Sequence, residues 1–143
     1  MKKILALIVL ALATSSATAS ECATTYMRGG APSKFDPLAH KALDARYHLV
    51  DVDPTLQSYE SPKPVAGSMP SAPTDDAGSP VHGYVLIAYV VNVAGRAESP
   101  TVVEASDDAL AKAALGATGT WHFSPGKVNG EVACTAALQE FKF

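Results

Sequence analysis

The chain has 143 residues, a formal net charge of −3, 48% apolar residues and 17% charged ones. That length holds one domain with a small appendage. The apolar share excludes a fully disordered chain, a coiled coil and a collagen-like repeat. The acidic balance argues against nucleic acid or anionic lipid as a charge-driven partner.

Residues 1–19 read as a signal peptide. Lys2 and Lys3 form a positive start, and Ile4 to Ala13 is an unbroken apolar run. Ala17 and Ala19 fit a small-residue cleavage site, with the cut after Ala19. The run spans only about 15 Å as a helix, against roughly 20 residues needed to cross a bilayer core. A periplasmic location follows from cleavage. An uncleaved leader would instead anchor the chain in the inner membrane, facing the periplasm.

Cys22 and Cys134 are the two cysteines. In an oxidising compartment an even pair favours a disulfide. Cys134 lacks a nearby histidine and reads poorly as a catalytic thiol. His40, His48, His82 and His122 show no ligand spacing, so no metal and no cofactor are expected.

Residues 20–60 form an N-terminal segment with one helix. Asp36-Pro37 starts it, and it runs to about Arg46, with Leu38, Ala42, Ala45 and Leu49 near one face. Tyr47 to Val52 alternates as a short strand, closed by a turn at Asp51 to Pro54. Residues 61–80 hold Pro62, Pro64, Pro70, Pro73 and Pro80 and read as a semi-rigid, mobile Pro/Ser-rich linker, or one lying along the domain surface if the disulfide tethers both ends.

Residues 81–143 read as a compact α+β unit. Gly83 to Val93 is apolar on both faces, which predicts a central strand. Gly95 suits a turn needing positive φ. A second strand follows from Arg96 to Ala105, with an edge or bulge at Pro100. Ser106 is expected to cap a helix whose buried stripe is Leu110, Ala113 and Ala114, ending at Gly116 and Gly119. Trp121 and Phe123 read as core anchors on either side of His122. Asn129-Gly130 signals a hairpin into a last strand, Val132 to Phe143, with a bulge near Ala136-Ala137.

This order of elements resembles the C-terminal domain of TonB proteins, the energy transducers of Gram-negative bacteria. The positions that carry the likeness are Gly83, Val85, Val91, Gly95, Arg96, Ser106, Leu110, Ala113, Ala114, Trp121, Phe123, Pro125, Asn129, Gly130, Phe141 and Phe143. The resemblance implies a three-stranded antiparallel sheet with helix or helices packed on one face. It also implies binding without chemistry. The sheet edge of such a domain takes a short extended peptide from an outer-membrane transporter by strand addition.

Carried onto this sequence, the peptide-binding edge strand comprises Val132, Cys134, Thr135, Ala136, Ala137, Leu138 and Gln139. Proline at Thr135 or Ala137 is expected to separate the outward-facing parity from the inward one. The expected function is a periplasmic protein-binding module linked to TonB-dependent transport. Its partner is a periplasmic or outer-membrane protein or peptide, or a second copy in a homodimer. A membrane-anchored energy transducer is one alternative. It lacks support from the short leader, which carries no histidine, and from a linker reaching only about 60 Å. A small periplasmic enzyme is the other. No hydrolase or metalloprotease motif is present, and adjacent Asp107 and Asp108 fit helix capping better than catalysis.

Overall fold

The computed structural model describes Cys22, Thr25–Arg28, Asp36–Asp44 and residues 46–143. Residues 1–19, expected to form a signal peptide, and Ala45 lie outside the described residues. In chain order the elements are β1 (Thr25–Arg28), α1 (Asp36–Asp44), β2 (His48–Asp51), β3 (Tyr59–Glu60), β4 (Lys63–Ala66), β5 (Tyr84–Val91) and β6 (Ala97–Ala105). They continue with α2 (Asp108–Thr118), β7 (His122–Ser124), β8 (Lys127–Val128), β9 (Glu131–Val132) and β10 (Thr135–Lys142).

The main sheet has the strand order β2-β1-β10-β5-β6. β10, β5 and β6 form the expected antiparallel trio. β1 then joins β10, and β2 joins β1, both in parallel. The fold is α+β, and its three-stranded centre is widened by two strands from the N-terminal segment.

β5 explains why that segment is recruited. Val85, Ile87, Tyr89 and Val91 point to one face, where they meet Leu110 and Ala114 of α2 together with Trp121, Phe123 and Phe141. Ala88 and Val90 point to the other, where they meet Leu43, Tyr47 and Cys22. Each fully buried aliphatic side chain contributes about 1.5–3 kcal/mol, so neither face can be left wet cheaply. Helices therefore cover both faces, not one. The inward stripe of α1 is Ala39 and Leu43, continued by Tyr47; Leu38, expected to face inward, is 45% exposed.

Local chemistry departs from expectation at the start of α2. Asp107 is the N-cap, its carboxylate accepting from the N–H groups of Ala109 and Leu110. Ser106 is otherwise engaged. Its Oγ accepts from Tyr84 N–H at 2.9 Å and so latches the helix entry to β5. The helix passes through Gly116 and ends with Gly119 as C-cap.

The β5–β6 turn is held by Asn92, which is buried and whose Oδ1 accepts from Ala94 and Arg96 N–H. Gly95 has φ 76°, and an added Cβ would stand 2.1 Å from the Phe123 carbonyl. In β6 the register shifts around Ser99 and Pro100, the bulge that proline calls for.

The last strand is shorter than expected. Asn129 and Gly130 have φ 53° and 80°, the signature of a type I′ turn, but they join β8 to β9. β9 ends at Val132, and β10 begins anew at Thr135. From Thr135 to Lys142 the register with β5 is unbroken, so no bulge falls at Ala136-Ala137.

The Pro-rich stretch over 61–80 lies along the domain. β4 pairs antiparallel with β7, and Thr74 bridges Pro80. Trp121 anchors it by donating from Nε1 to Ser68 O at 2.8 Å. A Cβ at Gly67 would stand 2.4 Å from the Trp121 ring, so only glycine permits this close passage. The same ring meets Phe141 edge-on at 5.6 Å between centroids.

The Cys22–Cys134 disulfide is present, with Cα atoms 5.9 Å apart across a separation of 112 residues. It fixes the N-terminal segment immediately before β10. Glu98 adds a second tie, accepting from Cys22 N–H at 3.0 Å and from Asn92 Nδ2 at 2.7 Å.

Trp121→Ala removes ring packing on both Phe123 and Phe141, so chemical denaturation is expected to show a loss of about 3–5 kcal/mol. An unchanged midpoint would place the ring outside the core. Burial also pushes Tyr89 from 10.0 up to about 12. The folded state therefore holds this proton more tightly than the unfolded one. Stability is complete below pH 10 and is lost as pH rises towards 12. Tyr89→Phe is expected to flatten that alkaline decline, read by denaturant midpoints across the range.

Candidate functional site

The candidate site is the outer edge of β10, and its geometry follows from one bonded pair. Gly83 donates to Phe143 O at 3.2 Å, and Phe143 donates to Gly83 O at 2.8 Å. Antiparallel ladders alternate such bonded pairs with unbonded ones. The register from Lys142↔Tyr84 to Thr135↔Val91 continues this pair without a shift. Phe141, Gln139, Ala137 and Thr135 therefore turn their backbone N–H and C=O towards β5. Lys142, Glu140, Leu138 and Ala136 turn theirs outward.

Of the residues expected to form the edge, Val132 belongs to β9 and Cys134 is bonded to Cys22 before β10 starts. Thr135, Ala136, Ala137, Leu138 and Gln139 lie on β10. Only Ala136 and Leu138 among them offer outward backbone groups. Thr135 and Ala137 share the inward parity, so prolines at those two positions do not separate the faces. Glu140 and Lys142 complete the outward row. An alternation count from Phe143 would have found them.

The start of this edge is already occupied. β1 pairs with β10 at Met27↔Thr135. Since Thr135 faces β5, the parallel geometry leaves Ala136 as the β10 residue whose N–H meets β1. Among the described residues no strand flanks β10 beyond that point, from Leu138 to Lys142. The open row therefore spans about five residues, or roughly 17 Å.

Side chains tune the open part. Gln139 donates from Nε2 to Glu140 O at 2.7 Å, which covers one outward carbonyl that a partner strand would use. Lys142 and Glu140 approach within 3.7 Å on the solvent side, a pair worth little by itself. Lys142 stands opposite Tyr84 in the ladder. The Tyr84 hydroxyl donates to the Glu104 carboxylate. That bond first, then desolvation and the charges of Glu104 and Glu140, raise its pKa above 10.0. This end of the edge thus carries Lys142 and Glu140, with Glu104 on β6 beyond β5.

These elements define a small α+β domain that presents a backbone edge. Residues 73–143 match the family described as Gram-negative bacterial TonB protein C-terminal. The match begins inside the stretch expected to be a linker. The family is linked to TonB-dependent transport. Among solved structures, the solution NMR structure of the Pseudomonas aeruginosa TonB C-terminal domain is 24% identical. It covers 59% of this chain and 86% of its own, with a TM-score of 0.47. No curated protein matches the chain.

The parity is testable by stability alone. Ala137→Pro strands the buried carbonyl of Tyr89 and is expected to cost about 1–3 kcal/mol. Glu140→Pro removes an outward N–H at an exposed residue and is expected to cost under about 1 kcal/mol. Equal losses by urea denaturation would contradict the alternation.

Proposed function

We propose that the chain is a periplasmic protein-binding module. Its β10 edge adds an extended segment of a periplasmic or outer-membrane partner, of the kind served by TonB-dependent transport. The observation that carries this reading is the row of outward backbone groups at Leu138, Glu140 and Lys142. Such a row is a liability unless covered or used. The family match over residues 73–143 supports the transport context, and the leader-like residues 1–19 support export. Main-chain bonds would supply most of the affinity, and the flanking Lys142 and Glu140 would select against poorly matched charge.

Titration with extended peptides from the periplasm-facing ends of outer-membrane transporters tests this. Binding is expected to shift the amides of 138–142 and to be abolished by Glu140→Pro, while exposed side-chain substitutions to Ala change affinity less than about threefold. Peptide binding with all shifts outside β10 would overturn the site.

A further inference from the structure

We propose that β1 is an intrachain occupant of the β10 edge, held in place by the Cys22–Cys134 disulfide, and that a dithiol opens the edge by reducing that bond. This rests on the reading of β10 as the recognition edge and adds its regulation.

The placement of the disulfide carries the inference. Cys134 directly precedes Thr135, and Cys22 lies three residues before Thr25. The bond thus clamps the beginnings of two parallel strands together. The ladder it supports is thin. Among the described residues β1 meets β10 at one Cα pair, Met27↔Thr135, whereas β10 meets β5 at eight. So short a contact competes with an outside strand because the disulfide fixes β1 in register at the start of β10 and raises its local concentration above what the docked α1 and the Cys22–Glu98 bond alone supply. Cutting the disulfide lowers that advantage and leaves the ladder weak.

The rest of the N-terminal segment has its own hold. Leu43 and Tyr47 are 2% and 4% exposed in the core cluster beneath α1. The Tyr47 hydroxyl also meets Ser99 Oγ at 3.0 Å. α1 therefore stays docked when β1 loosens, and the change is local. β1 is bonded to β2 over four Cα pairs, and β2 is held between buried Tyr47 and Val52, so the loosening is confined to the seam between β1 and β10.

The chemistry balances as thiol–disulfide exchange. A thiolate of the dithiol attacks Sγ of Cys134, which is half-buried, whereas Cys22 is buried. The S–S bond breaks, and Cys22 leaves as a thiolate. The second thiol of the donor then displaces Cys134. Two electrons pass to the cysteine pair, two protons end on its thiols, and the donor departs as its own disulfide.

The test uses the full mature chain, oxidised or reduced with dithiothreitol. The probe is a synthetic peptide with the sequence of residues 23–29, which contains the chain's own β1. Reduction is expected to speed amide exchange at Ala136 at least tenfold and to leave Ala137, bonded to β5, unchanged. The peptide is expected to bind the reduced form at least tenfold more tightly than the oxidised one. Equal Ala136 exchange in both forms would overturn the gate. Faster Ala136 exchange without peptide binding to either form would uphold the gate and overturn the recognition edge. Should reduction also release Ala137, Met27→Pro in the oxidised chain separates the two effects. It breaks the β1 ladder with the disulfide intact, and slow Ala136 exchange in that variant would overturn the proposal.

Discussion

Seven consecutive residues of β5, Val85 to Val91, are buried, and their side chains alternate between two faces. A strand of this kind needs a layer on each side. α2 with Trp121, Phe123 and Phe141 supplies one. The other must come from elsewhere in the chain, and α1 supplies it through Leu43, with Tyr47 just beyond the helix. The N-terminal segment is therefore part of the domain's core, because Ala88 and Val90 would otherwise face water.

Once α1 is docked, its flanking strands have few places to go. The outer edge of β10 offers unpaired backbone, and β1 takes its beginning, with β2 outside it. The disulfide and the Glu98 carboxylate secure this arrangement at Cys22. The same packing that completes the core thus shortens the sheet edge available to others. What remains open is the half nearest the C-terminus, where Gln139 and the charges of Glu140 and Lys142 modulate access.

Much of this was legible in the sequence, for physical reasons. The doubly apolar run from Tyr84 announced a covered strand. Trp121 and Phe123 alternated around a polar histidine, and the two cysteines paired as an exported chain suggests. The failures are equally physical. Ser106 looked like a helix cap, but its hydroxyl is drawn to Tyr84, leaving Asp107 for the role. Leu38 is the larger hydrophobe, yet Ala39 and Leu43 hold the spacing that meets β5. The prolines over 61–80 suggested a mobile linker, lying along the domain only if the disulfide tethered both ends. Proline content does not reveal that Trp121 offers a ring and an N–H for the chain to pass over, and only Gly67 hints at it. Strand order lies furthest from sequence reading. Nothing local in Thr25 to Arg28 states that it joins β10, since four residues pair wherever tertiary packing delivers them.

The most direct measurement is the stability of Leu43→Ala in the oxidised chain by denaturant unfolding. If α1 completes the core over Ala88 and Val90, the loss is about 2–5 kcal/mol within a single cooperative transition. A loss below about 0.5 kcal/mol, the scale of surface substitutions, or a separate early transition for the N-terminal segment would contradict an integral α1.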